Sequence, residues 1–199
     1  MAEVLITLGI IGVVAALTLP SLIQKYQDQV LENQLKKMYS TISQGVQKAM
    51  ADDGVSNFYD TELFQSCMYH ESSSNACVQL VKKYFNVVAV KTDRREYYVG
   101  VIQTKYIDGE TVFLGRDKSK RDIRPWNGYE TGDTYVLADG SEIKFGAERY
   151  SANFYLDTNG EKGPNTDGLD VFFLRVDGDN RFQNFYLEAI QKNNWKFPW

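Results

Sequence analysis

Two cysteines, one histidine and four prolines are all that a chain of 199 residues holds of those types, and each scarcity closes off a class of protein. There is no second cysteine pair and no histidine cluster from which to build a zinc site. With 43% hydrophobic and 24% charged residues and a mean hydropathy of -0.39, the composition is that of an ordinary folded chain, which excludes collagen-like, disordered and polytopic membrane classes. The length allows one compact domain or a small domain with an extended appendage. A net charge of -4 and a pI near 5.1 leave no global basic field, so nucleic acid is not an expected partner. The densest basic run, Arg116, Lys118, Lys120, Arg121 and Arg124, is interrupted by Asp117 and Asp122 and reads as a solvated loop of mixed sign.

Catalytic signatures are missing too. No H-E-x-x-H, G-x-S-x-G, G-x-x-x-x-G-K or G-x-G-x-x-G occurs. His70 sits in a polar loop and reads as solvated, and a glycosidase pairing of Glu161 with Asp170 depends on a separation that spacing does not fix. The expectation is a protein that is not an enzyme.

The most telling absence is local: no charged residue stands between Glu3 and Lys25. Residues 4–24 form an uncharged run of 21, which at about 1.5 Å per residue just spans a hydrocarbon core of about 30 Å. A cleaved secretory signal would need a basic start and an A-x-A site. Met1-Ala2-Glu3 supplies an acid instead and no such site follows, so the run is expected to be a single-pass anchor. Glu3 at the edge of the run is costly in lipid unless it reaches the interface, protonates or pairs with a cation. Gly12 and Pro20 interrupt the run, and Pro20 removes a backbone hydrogen bond, so a kink is expected there.

Beyond Pro20 the apolar residues Leu31, Leu35, Met38, Ile42, Val46 and Ala49 recur at helical spacing, with Lys25, Asp28, Glu32, Lys36, Lys37 and Lys48 off the stripe. Asp52-Asp53-Gly54 reads as the end, giving a first unit over 1–54 whose residues 1–24 are apolar all round and 25–54 amphipathic.

Residues 2–26, AEVLITLGIIGVVAALTLPSLIQKY, resemble the N-terminal segment of type IV pilins and type II secretion pseudopilins, with Glu3, Gly12, Ala15, Ala16 and Pro20 in the family's register. That family is made with a short basic leader ending in Gly, cut before a residue, usually Phe, that becomes N-methylated. Here Met1 stands at the third mature position, so the reading frame is expected to start short. The resemblance implies an inner-membrane subunit with its head outside the cytoplasm, later extracted into a filament outside the cell or in the periplasm. Its implied partners are itself, other pilin-like subunits, a prepilin peptidase and an assembly platform. It implies that Glu3 pairs with the terminal amine of a neighbouring subunit, and that the segment between Gly12 and Pro20 can unwind on assembly. The competing expectation is a non-polymerising single-pass membrane protein with an extracytoplasmic ligand-binding domain.

The second unit, 55–199, is expected to be an α+β head of pilin-like type, an antiparallel β-sheet packed on the amphipathic half of the helix. Short capped helices are expected to begin near Asp60 and to run over 74–85. Strands are expected over 96–107, 111–114, 134–137, 142–145, 153–156, 171–176 and 181–187, with hairpin turns at Asp108-Gly109 and Asp139-Gly140. Cys67 and Cys77 form a disulfide in an oxidising compartment and buried free thiols in a reducing one.

The stretch 157–170, DTNGEKGPNTDGLD, is turn-rich, with Gly168 expected at positive φ. Its oxygens, on Asp157, Asn159, Asn165, Asp167 and Asp170, are also hard ligands that a calcium ion would accept, though the EF-hand spacing fails; no other cofactor is expected. A similar stretch stands near the end of many pilin-like proteins. The closing Trp195-Lys196-Phe197-Pro198-Trp199 reads as a strap over the core.

Overall fold

The computed structural model describes residues 2–68, 74–92, 100–107, 110–117, 133–149 and 151–198, and within 100–117 the backbone alone. Helix α1 covers Ala2–Asp53 and runs as one α-helix through Gly12 and Pro20. Its 52 residues make it about 78 Å long at about 1.5 Å per residue. All six apolar stripe residues are buried, from Leu31 to Ala49, whereas Val4 to Ile23 lie open. Gly54, at φ 66°, takes the left-handed conformation that ends the helix, and Val55 N donates to Met50 O. Glu32 departs from the sequence expectation. It is off the apolar stripe yet only 6% exposed.

A 3-10 turn, Phe58–Asp60, leads into α2, Glu62–Ser66, whose cap is Thr61: its hydroxyl accepts from Phe64 N. Helix α3, Asn75–Phe85, is capped by Ser74, which accepts from Cys77 N. The two are joined by a disulfide between Cys67 and Cys77, both fully buried. His70 and the rest of that loop lie outside the described residues.

Strands β1 (Val87–Lys91), β2 (Gly100–Ile107), β3 (Glu110–Asp117), β4 (Thr134–Leu137), β5 (Glu142–Glu148), β6 (Ser151–Asp157), β7 (Thr166–Asp167), β8 (Val171–Val176) and β9 (Phe182–Gln183) follow, and the chain closes with α4, Phe185–Lys192. Among the described residues they form one sheet ordered β1-β4-β5-β6-β8-β7-β2-β3, with β9 pairing onto β8 off that path. The expected antiparallel sheet is corrected to a mixed one, because β7 pairs parallel with both β2 and β8. The expected strand over 181–187 is corrected as well. It pairs for two residues only, and then Asn184 accepts from Leu187 N and starts α4. The expected Asp108-Gly109 turn lies outside the described residues, between the antiparallel pair β2 and β3.

Register explains the core. Ile143 stands opposite Leu156, Phe145 opposite Phe154 and Ala147 opposite Ala152, and across the next pairing Phe154 meets Leu174 and Leu156 meets Phe172. These side chains share one sheet face by the two-residue alternation and pack with Leu35, Met38, Ile42, Val46 and Ala49 of α1. Phe145 stacks on Phe154 at 4.6 Å and Phe58 completes the group at 6.2 Å. The fold is therefore α+β, a long helix whose second half is one wall of the head's core and whose first half is left bare.

Candidate functional site

The bare half of α1 is the largest unburied apolar surface among the described residues. Its Val, Leu and Ile side chains from Val4 to Ile23 are all more than half exposed. Few polar groups interrupt it, and those that do are satisfied within the helix. Thr7 Oγ1 donates to Glu3 O (3.1 Å) or Val4 O (3.0 Å), Thr18 Oγ1 to Val14 O (2.9 Å) and Ser21 Oγ to Thr18 O (2.9 Å). Such back-bonding lets hydroxyls sit in a medium without water. The helix is long and apolar enough to cross a membrane once, a property shared by signal sequences. Glu3 lies exposed in its first turn, and a Cβ at Gly12 would meet nothing within 4 Å.

At the other end of this surface the head begins, and a residue that periodicity did not single out organises the junction. Glu32 Oε2 accepts from Lys196 Nζ at 2.8 Å and its Oε1 accepts from Phe197 N at 2.9 Å, so a buried carboxylate on α1 holds the C-terminal strap. Trp195 packs edge-on to Tyr39 at 5.3 Å, with Phe182 against the same ring at 5.4 Å. One turn before Glu32, Asp28 has its carboxyl pushed up by burial and then by the Glu32 charge. The only sequence signal for Glu32 was an acid beside an apolar stripe, which ordinarily marks a solvated face.

The stretch 157–170 is a second cluster. Asp170 is fully buried, with Asn165 N donating to Oδ2 at 2.8 Å and Thr166 N to Oδ1 at 2.6 Å, while Thr158 N donates to its backbone O at 2.8 Å. Asp157 Oδ1 accepts from Asn159 N at 3.2 Å, and Asn159 Nδ2 donates to Gly163 O at 2.8 Å. Gly168, at φ 85°, carries the Tyr186 ring where a Cβ would stand, 2.9 Å away. Burial pushes the Asp157 carboxyl up to about 7, with the charges of Asp170 and Glu142 adding to the rise and N–H bonds from Asn159 and Gly160 opposing it. Asp170 is raised by burial, opposed by the N–H groups of Thr166 and Asn165. Asp167 lies in β7, where its charge, after burial, helps push the Tyr186 hydroxyl up to about 12.

Of the five calcium candidates the fold thus gathers Asp157, Asn159, Asn165 and Asp170. Both Asp170 oxygens are already used as anchors for backbone N–H groups, while Asn159 Oδ1 and Asn165 Oδ1 are buried and accept no hydrogen bond among the described residues. No group of three or more His, Cys, Asp or Glu side chains among the described residues comes together so as to hold a metal ion. What the cluster does chemically is hold the half-buried Asp157 carboxyl near the buried Asp170, whose charge disfavours ionisation of Asp157, a cost that a proton or a cation relieves. The Glu161 side chain, the other acid considered for a dyad, lies outside the described residues.

No curated protein and no solved structure matches the chain. A family profile described as a family of unknown function, DUF6613, matches residues 21–199, which takes in the amphipathic half of α1 and the whole head. On that match the chain belongs to DUF6613.

Proposed function

We propose that this protein is a structural subunit of a filament of the type IV pilus or type II secretion pseudopilus kind, held in the inner membrane by residues 4–24 until it assembles. The observation that carries the reading is one uninterrupted helix, Ala2–Asp53, whose first half exposes every large apolar side chain while its second half is wall to the head's core. An apolar surface so large is unstable in water and needs either lipid or the same half-helix of its neighbours. The pilin-like residues Glu3, Gly12, Ala15, Ala16 and Pro20 on that half support filament packing over a plain anchor. The buried Cys67–Cys77 disulfide supports a head outside the cytoplasm. In this reading Glu3 offsets the charge of a neighbour's terminal amine as the subunit leaves the bilayer, and prepilin peptidase and an assembly platform act on the chain before that.

The test is electron microscopy of cells expressing the tagged protein with its native leader. Filaments labelled along their length are the expected result, and Glu3→Ala is expected to abolish them while leaving the chain in the membrane. Normal filaments from Glu3→Ala would sink the assembly role of Glu3. A protein that stays membrane-bound and never polymerises under any condition would return the reading to a single-pass ligand-binding protein.

A further inference from the structure

The C-terminal strap points to a second contact with the membrane. We infer that the exposed Pro198 end of the strap, held on α1 by the Glu32 clamp, rests in the lipid headgroup layer while the chain is anchored; this rests on the membrane stage proposed above. The helix itself supplies the ruler. Burial on α1 begins at Asp28 and is complete at Leu31 and Glu32. Asp28 is four residues past Gln24, about 6 Å along the axis at about 1.5 Å per residue. The headgroup layer on each side of the hydrocarbon is roughly 5–7 Å deep. The underside of the head therefore meets that layer rather than standing clear of it.

What forms this underside is the strap. Its Trp195 ring lies at the level of Tyr39, and its Phe197 backbone N–H lies at Glu32, seven residues nearer the bilayer, so the strap descends along α1 as it proceeds. Pro198 follows and is exposed. The composition suits an interface: Trp195 and Phe197 are half-buried against the head's core, Lys196 stands exposed between them, and Tyr26, 68% exposed, and Lys25 stand exposed on the helix below. Charge suits it as well. Glu32 is buried and paired with Lys196 rather than presented to phosphates, and Asp28, one turn nearer the bilayer, is half-buried with its carboxyl pushed up by burial and then by the Glu32 charge. The occupant is thus a zwitterionic phospholipid headgroup layer, met by the exposed Pro198 and Tyr26 next to a neutralised ion pair.

A depth measurement tests it on the full chain in phosphatidylcholine vesicles. Both native cysteines are in the disulfide, so Pro198→Cys supplies a single thiol for an environment-sensitive fluorophore, and Lys48→Cys, exposed high on the amphipathic half, supplies the control. Lipids with a nitroxide just below the headgroup should quench the Pro198→Cys label at least about threefold more than the Lys48→Cys label, and lipids with a deep nitroxide should quench neither. If the chain floats with the vesicles but the Pro198→Cys label is unquenched, or both labels are quenched alike, the strap proposal is overturned while the anchor stands, leaving a neighbouring copy to cover the strap. If the chain does not float with vesicles at all, the membrane stage falls and this proposal with it.

Discussion

Replacing Asp157 by Asn should make the protein more stable, and most where the pH is high. Asp157 closes β6 opposite Glu142 and beside Asp170, and burial with those two charges lifts its carboxyl to about 7. An unfolded aspartate titrates near 3.9. Between those values the folded chain holds a proton that the unfolded chain has released, so this group's contribution falls as pH rises from about 4 to about 7 and is at its least favourable above. Raising a carboxyl from about 4 to about 7 corresponds to roughly 4 kcal/mol at most, and local relaxation and water reduce this to about 2 kcal/mol. Asparagine keeps an oxygen for the Asn159 N–H and removes the charge facing Asp170. For a chain of this size about 2 kcal/mol is a rise of about 4–8 °C in Tm at pH 8, shrinking to about a third of that at pH 5. The assay is thermal unfolding of the full chain in detergent at both pH values, with EGTA and with calcium. A variant less stable than the parent at pH 8, or one gaining equally at both pH values, would refute the reasoning. If calcium raised the parent's Tm and Asp157→Asn abolished the rise, a metal and not a proton would be what relieves the cluster.

Three further substitutions probe the packing. Gly45 lies on α1 where a Cβ would come 2.2 Å from the Phe85 ring, so Gly45→Ala should cost about 1–3 kcal/mol in urea unfolding, and Phe85→Leu in the same chain should recover part of it. Removing the disulfide with Cys67→Ala and Cys77→Ala together should cost about 2–3 kcal/mol, seen as a lower urea midpoint, and the reducing agent that mimics it in the parent should have no effect on the variant. Glu32→Ala should release the strap, leaving Phe197 N and Lys196 Nζ without their acceptor at a cost of about 1–3 kcal/mol, with faster amide exchange at Phe197; Glu32→Gln should restore much of that protection.

What could be read directly from the residues was whatever is decided within a few positions. The stripe from Leu31 to Ala49, the caps at Ser74 and Gly54, and the strands Thr134–Leu137 and Val171–Val176 each carry their own period or turn chemistry, and each forms where that chemistry places it. Where the reading failed, distant partners decide. The segment after Arg181 alternates like a strand, yet it has only two residues of β8 to pair with before Asn184 caps a helix, and capping beats continued pairing once the ladder ends. Strand β1, VVAVK, carries no alternation of its own, four apolar residues and a lysine straight after the left-handed Asn86, and only β4, more than forty residues later, makes them a strand. The same division runs through the candidate sites. The bare half-helix was legible because a missing charge is a local fact, whereas Glu32 was not, because its partners Lys196 and Phe197 stand 164 and 165 residues away. Local pattern therefore identifies the surface that must leave water, and long-range pairing fixes where the head stops above it. Those two boundaries lie only about 6 Å apart on one rigid helix, so what the strap touches at that level is a consequence of the fold as much as of the apolar run.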